Sequence, residues 1–120
     1  MDNSQKTKTY DLEQRTLEYA KRIIRLCKSI SGNIENNILS NQLMRSGTSL
    51  GANYREANET VTKKDFSFRM RICRKEAKET IYWLQLVIEA NPSLEKRVMP
   101  LLQETGELLK IFAAIIEKTK

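Results

Sequence analysis

The sequence contains no histidine, and this absence removes the commonest general base and the commonest zinc ligand of proteins. Only two prolines and four glycines occur in 120 residues, which favours helices over a β-fold with many turns. The two cysteines, Cys27 and Cys73, match no metal-ligand spacing, so we expect both to be buried as small apolar side chains. Glu-x-x-His pairs and a Walker-type loop are absent too. The sequence therefore predicts a protein that is not an enzyme, with no catalytic residue, no metal and no cofactor.

Long apolar segments are also missing. No run approaches the ~18 residues of a membrane span, and the polar first ten residues lack the apolar centre of a signal peptide. We therefore expect a cytoplasmic protein of bacterial type that makes no membrane contact. A chain of this length forms one core, which we assign to residues 11–120 behind a flexible N-terminal tail over residues 1–10.

What the sequence has in abundance is helical periodicity. Apolar residues recur at three- and four-residue steps in four segments. These predict helices over about residues 11–30, 37–58 and 64–90. A fourth helix follows Ser93, Lys96 and Arg97, and its apolar periodicity runs from Val98 to the end. Four amphipathic helices joined by short links predict an all-α fold, an antiparallel up-down-up-down four-helix bundle.

Four residues mark the expected helix ends. Asp11 is a candidate N-cap of the first helix, and Gly32 is a candidate for its termination. Pro92 stops the third helix, and Pro100 is expected in the first turn of the fourth, where a missing N–H costs little.

The stretch "RSGTSLGANYREA", residues 45–57, places two glycines and many small polar residues inside the second helix. A heptad seam crosses it through Leu39, Leu43, Ser46, Leu50, Asn53 and Ala57. Each glycine costs about 1 kcal/mol relative to alanine in a helix, so a compensating close helix–helix approach is expected over Gly47, Gly51 and Ala52. The sequence leaves open whether this side packs within the bundle, between subunits, or both.

The third helix carries apolar residues beyond its inner stripe, namely Phe68, Ile72, Trp83 and Leu86. This broad arc is either wholly intramolecular or part of an interface, for which Trp83 is the candidate anchor. Glu76 and Glu79 lie on the same flank and need basic partners. We expect Arg45, Arg55 and Glu56 of the second helix to bridge to charged neighbours such as these two. The full set expected in helix packing or an oligomer interface is Arg45, Ser46, Gly47, Gly51, Ala52, Asn53, Glu56, Glu76, Glu79 and Trp83.

Positive charge is concentrated in one segment. Residues 63–78 hold seven basic and two acidic residues, a local +5 of the net +6. The candidate nucleic-acid-binding residues share one face opposite the inner stripe: Lys64, Arg71, Arg74, Lys75 and Lys78. This face is either the solvated outside of the bundle or a surface for phosphate backbones. Tyr82 is the only aromatic that the pattern places near it, which favours contact with the backbone over stacking on bases.

Two segments together resemble a known family. "QLMRSGTSLGANYREA" (42–57), followed by "DFSFRMRICRKEAKETIYWLQL" (65–86), resembles the four-helix-bundle proteins encoded in intervening sequences of bacterial 23S ribosomal RNA genes. The resemblance implies a ring- or barrel-shaped homopentamer, labelled ribosomal-protein-like because of where some of the genes lie. It also implies a fold similar to that of the accessory protein of diversity-generating retroelements, a basic pentamer that binds nucleic acid and a reverse transcriptase.

The leading functional hypothesis is thus a homo-oligomer that binds RNA or DNA through summed basic faces. The alternative is a structural or protein-binding adaptor, such as a partner of a reverse transcriptase, with no direct nucleic-acid function.

Overall fold

The structure, a computed structural model, describes residues 12–120. The predicted tail over residues 1–10 and the candidate N-cap Asp11 lie outside the described residues. Four α-helices follow in order: α1 (Leu12–Ser29), α2 (Ile34–Asn58), α3 (Lys63–Ala90) and α4 (Glu95–Lys118). A short 3-10 turn, Pro92–Leu94, links the last two, and the described part of the chain contains no strand. No described helix is both long enough and apolar enough to cross a membrane.

Each helix runs antiparallel to the one before it and packs against it. α4 also packs against α1, which completes the bundle. Contacts between side chains fix the directions. The start of α2 meets the end of α3 through Asn36 and Asn91, whose side-chain amides exchange hydrogen bonds of 2.9 and 3.0 Å. The start of α3 meets the end of α4, where Thr119 Oγ1 donates to Ser67 Oγ at 3.0 Å. The predicted all-α four-helix bundle is confirmed.

The boundaries of two helices differ from the prediction. α2 begins at Ile34, three residues early, because the Asn33 side chain caps it by accepting from the Asn36 N–H at 2.8 Å. The proposed termination by Gly32 is wrong, since α1 already ends at Ser29 and no described glycine has a positive φ. Pro100 is not in the first turn of α4 either. The helix begins at Glu95, which makes Pro100 its sixth residue and removes one intrahelical hydrogen bond.

The predicted heptad seam of α2 faces the core. Leu39, Leu43, Ser46, Leu50 and Ala57 are buried, and Asn53 is half-buried. Beside this seam, the two glycines face α1. A Cβ on Gly47 would lie 2.9 Å from Ile23 Cγ1, and one on Gly51 would lie 2.8 Å from Thr16 Oγ1. Both distances are shorter than van der Waals contact, so α1 and α2 approach this closely only because the glycines have no side chain.

One end of the contact between α1 and α4 is polar. The Tyr19 hydroxyl donates to Thr105 Oγ1 at 2.5 Å, and Thr105 in turn donates to the Leu101 carbonyl at 2.6 Å. Nearer the solvent, Arg15 pairs with Glu104 and Glu107 at 2.7 and 2.8 Å. These contacts hold α1 against α4 at the end of the bundle where α1 begins.

Candidate nucleic-acid interface

The basic residues predicted from the sequence do lie on the outer side of α3. Lys64, Arg71, Lys75 and Lys78 are exposed, and Arg74 is half-buried at the margin. Periodicity explains this arrangement, because the buried residues Met70, Cys73, Ala77 and Leu84 occupy the opposite side of the same helix. We call the surface formed by Lys64, Phe68, Arg71, Arg74, Lys75, Lys78 and Tyr82 the α3 outer face.

The cations of the α3 outer face have no carboxylate within 4.0 Å among residues 12–120. Three arginines near α2 and α3 are paired, by contrast: Arg45 with Glu76, Arg55 with Glu13, and Arg69 with Glu56. Like charges three and four residues apart on a helix are mutually destabilising by about 0.2–0.5 kcal/mol a pair. The face therefore holds its charges together without a carboxylate in direct contact.

Arg74 differs from its neighbours because α4 is close to it. The pKa of the Glu117 carboxyl is lowered, first by the hydrogen bond from Lys120 and to a smaller extent by the charge of Arg74. The charge of Arg74 therefore interacts weakly with this carboxylate, whereas Arg71 and Lys75 are exposed to solvent. The strongest uncompensated charge lies toward the centre of the face.

Two aromatic side chains accompany these cations. Phe68 is 62% exposed and Tyr82 is 56% exposed. The sequence interpretation placed Phe68 on an apolar flank, but the structure leaves it in solvent between Lys64 and Arg71. A shallow groove beside it is lined by Lys63, Ser67 and Thr119 in addition to those three residues. The signal that could have found Phe68 is its spacing of four residues from Lys64 and three from Arg71.

The flank between α2 and α3 has a different character. Arg45 Nη1 lies 3.4 Å from Glu76 Oε1, and Arg45 also pairs with Glu79. Next to this cluster the hydroxyls of Ser46 and Thr80 are hydrogen-bonded at 2.9 Å. The expected link from Arg45 to the two glutamates is present, and it joins helices of one chain.

The small residues of α2 divide between two sides of the helix. Ser46, Gly47 and Gly51 are buried within the chain, so their packing is intramolecular. Ala52 is exposed and lies away from α1, so it takes no part in the close approach expected there. Asn53 is half-buried and accepts from Arg69 Nη1 at 3.4 Å.

Trp83 is half-buried against the core, and its Nε1 is buried without a hydrogen-bond partner among the described residues. Its ring meets that of Tyr82 edge-on, with centroids 5.0 Å apart. Glu56, the remaining residue of the predicted set, is exposed with Arg69 at 3.9 Å.

The thiols are placed for packing. Cys73 is buried and Cys27 is half-buried. Burial raises the pKa of Cys27 to about 11 and that of Cys73 to about 12, so both are protonated near neutral pH. Within residues 12–120, no group of three or more Cys, Asp or Glu side chains is arranged to hold a metal ion.

Fold and surface together define a class: an antiparallel four-helix bundle with one strongly basic, partly aromatic outer face. The chain matches the family model described as "23S rRNA-intervening sequence protein" over residues 8–114, and it therefore belongs to that family.

A solved structure supports this assignment. The chain is 36% identical to a protein of unknown function from the S23 ribosomal protein family of Bacteroides thetaiotaomicron VPI-5482, with a TM-score of 0.80. The match covers 87% of this chain and 96% of that one. Comparison with curated proteins finds no match.

Proposed function

We propose that this protein is a non-enzymatic, cytoplasmic homo-oligomer that binds the phosphate backbone of RNA or DNA through the α3 outer face. The observation that carries the proposal is the set of solvent-facing cations without carboxylate partners among the described residues. A phosphate backbone relieves the repulsion within such a face, and displaced counterions provide the driving force for binding.

Phe68 and Tyr82 extend the proposal to single strands. Exposed aromatic rings beside cations are the usual platform on which unpaired bases stack, each stack contributing about 1–3 kcal/mol. Because every base has an apolar face, such stacking requires no sequence preference. We therefore propose that a single strand binds more tightly than a duplex of equal length.

Two features favour a binding role over catalysis. The sequence has no histidine, and both thiols are held protonated by burial near neutral pH. The most buried carboxylate, Glu76, is paired with Arg45, so it is engaged in an ion pair rather than free to take up a proton.

Self-association would multiply the basic face, and we propose the outer side of α2 as the contact. Ile34 is 80% exposed and Ile38 is 57% exposed. Arg45, Ala52 and Glu56 lie within about 40° of them around the helix. We call these five residues the α2 outer face. Apolar side chains flanked by charges of both signs suit contact with a second copy, and family resemblance points to five copies in a ring.

The test is a salt titration of oligonucleotide affinity by fluorescence anisotropy. For the unmodified protein we expect log K to fall steeply with log salt, by about 0.7–0.9 for each phosphate contacted. The double variant Arg71→Gln/Lys75→Gln should reduce that slope by about 1.5. A matched variant, Lys21→Gln/Lys110→Gln, removes the same charge from α1 and α4 and should leave the slope nearly unchanged.

Equal slopes for the two double variants would show that only net charge matters and would reject the α3 outer face as the site. Replacing Phe68 with Ala should weaken binding of a single strand while sparing a duplex. If Phe68→Ala weakened binding of the single strand and of the duplex to the same extent, the proposed stacking role of Phe68 would be wrong.

The second candidate function is an adaptor that binds another protein, such as a reverse transcriptase. The exposed isoleucines of the α2 outer face favour it, since they provide an apolar surface for a partner. Affinity capture from nuclease-treated lysate separates the two functions. A protein partner that survives nuclease and is lost in Ile38→Glu supports the adaptor, whereas capture that depends on intact nucleic acid supports the leading proposal.

A further inference from the structure

A second basic region lies on α1, away from the α3 outer face. Residues 21–28 contain four cations, and no acidic residue occurs between residues 19 and 33. Lys21 and Lys28 are exposed, whereas Arg22 and Arg25 lie on the flank of α1 that faces α4. The net charge of α1 and α4 does not reveal this cluster, because glutamates elsewhere on the two helices offset its positive charge.

Arg97 of α4 joins the two arginines of α1 across a groove. Its Nη2 donates to the backbone carbonyl of Arg25 at 3.5 Å, which brings its guanidinium to the α1 side. Arg22, Arg25 and Arg97 line the groove, and its remaining lining is Leu26, Pro100 and Leu101. Three arginines therefore line one depression, together with three apolar residues. We call it the α1–α4 groove.

α1 and α4 also contain an arginine that carboxylates do neutralise, and it serves for comparison with Arg97. One end of it holds Arg15, which Glu104 and Glu107 contact at 2.7 and 2.8 Å. These contacts raise the pKa of Arg15, and the largest cause is the hydrogen bond that Arg15 donates to Glu104. About ten ångströms farther along α4, at Arg97, no such carboxylate is present in the described chain. Glu95 lies roughly 160° around α4 from Arg97, on the other flank.

Like charges brought together beside apolar residues are unfavourable unless an anion is available to them. Each guanidinium presents a planar fork of donors that matches the oxygens of a phosphate, and bidentate pairing gives both strength and orientation. Three forks supply a formal charge of +3, which suits a group carrying two or more negative charges better than one carboxylate. We infer that the α1–α4 groove is a second anion site, specific for a phosphate-bearing ligand.

The position of the groove has a consequence for the whole chain. α1 and α3 are diagonal in the bundle, and their backbones do not approach each other closely among the described residues. The α3 outer face points away from α1, so the two basic regions are on different sides of the molecule. One chain can accordingly hold two phosphate-bearing ligands, or two segments of one strand, at the same time. The groove as an anion site stands independently of the function proposed for α3.

The first experiment measures binding of tripolyphosphate by isothermal titration calorimetry in chloride buffer. Arg97→Gln should weaken binding about tenfold, because a hydrogen bond to a charged group contributes about that factor or more. Lys96→Gln is the matched control. It removes the same charge one residue away from a side chain that does not line the groove, and we expect less than a twofold effect.

Arg25→Gln is a second variant on the other wall of the groove, and it should repeat the loss seen with Arg97→Gln. Circular dichroism and thermal melting of each variant show that the fold is intact before binding is compared. Equal affinities for the Arg97 and Lys96 variants would overturn the inference. So would a pentaglutamate peptide that binds as tightly as tripolyphosphate, since the groove would then not distinguish phosphate from carboxylate.

A second arm separates the two sources of phosphate. Binding of a labelled oligouridylate is measured in the Arg71→Gln/Lys75→Gln background, with and without Arg97→Gln. If Arg97→Gln weakens both ligands, the groove serves a nucleic-acid strand. If it weakens only tripolyphosphate, the groove serves a free polyphosphate. Both results support the anion site, and neither depends on whether the α3 outer face binds nucleic acid.

Discussion

At the scale of the residue, Gly47 and Gly51 decide how closely α1 and α2 approach. Ile23 and Thr16 occupy the space that a Cβ would need at these two positions. Gly106 provides the contrast, because a Cβ there would meet nothing within 4 Å. Glycine therefore permits a close helix contact in α2, whereas in α4 it only lowers helix propensity.

Gly47→Ala should lower the free energy of unfolding by about 1 kcal/mol, since overpacking against Ile23 outweighs the gain in helix propensity. Gly47→Leu should lower it by about 3 kcal/mol or more. Gly106→Ala should raise it by about 0.5–1 kcal/mol. Urea unfolding at one fixed protein concentration measures all three, because the proposed self-association would make stability depend on concentration. If Gly47→Ala and Gly106→Ala changed the free energy of unfolding in the same direction, this explanation would be wrong.

Arg45 is a second residue whose contribution to stability depends on the burial of its partner. Its partner Glu76 has a side chain that is only 10% exposed, so loss of the guanidinium leaves a nearly buried carboxylate without its cation. Arg45→Ala should therefore destabilise the fold by about 1–3 kcal/mol.

Arg55→Ala is the control for Arg45→Ala. The Arg55–Glu13 pair has a similar separation, 3.6 Å, but both side chains are at least 40% exposed. Solvent screening limits such a pair to about 1 kcal/mol or less. Thermal and urea unfolding compare the two variants, and equal losses would show that burial of Glu76 is not the cause.

At the scale of the element, the end of the bundle where α2 begins is held by an amide pair. Asn36 Nδ2 donates to Asn91 Oδ1 at 3.0 Å and to the Ser31 carbonyl at 2.9 Å. Asn91 Nδ2 donates to Asn36 Oδ1 at 2.9 Å and to the Val87 carbonyl at 3.0 Å. The pair thus connects the cap of α2 with the C-terminal end of α3.

Asn36→Ala and Asn91→Ala should each cost about 1–2 kcal/mol, and the double variant should cost less than their sum. The coupling arises because removal of one amide already leaves the other without its partner. A double-mutant cycle by urea unfolding measures it. Strict additivity would mean that the two amides act separately, through their backbone acceptors alone.

At the scale of the whole molecule, the proposed self-association would determine how many basic faces act together. A ring of five 14.0 kDa chains has a mass of about 70 kDa, which light scattering coupled to a sizing column distinguishes from the mass of a monomer. Ile38→Glu on the α2 outer face should lower the measured mass, because a carboxylate would be placed in the contact.

Val61→Glu is the control for Ile38→Glu. Val61 is 96% exposed in the link between α2 and α3, and its substitution should leave the mass unchanged. A mass of 14.0 kDa for the unmodified chain would remove both the oligomer and the contact proposed for it.

The helical class, the seam of α2 and the family resemblance follow from the sequence by itself. Helix periodicity is local: the identity of residues three and four apart determines which side of α3 is apolar and which carries Lys64, Arg71 and Lys75. Boundaries were less predictable, because caps such as Asn33 act through single hydrogen bonds that compete with other polar residues nearby.

Only the tertiary structure decided which flank of each helix meets which neighbour. It buries Gly47 against Ile23 while leaving Ala52 in solvent, and it pairs Arg15 with Glu104 while Arg22 and Arg97 meet no carboxylate among the described residues. The physical reason is that these pairs are far apart in the chain. Their encounter depends on the relative rotation and spacing of packed helices, which no periodicity within one helix can encode.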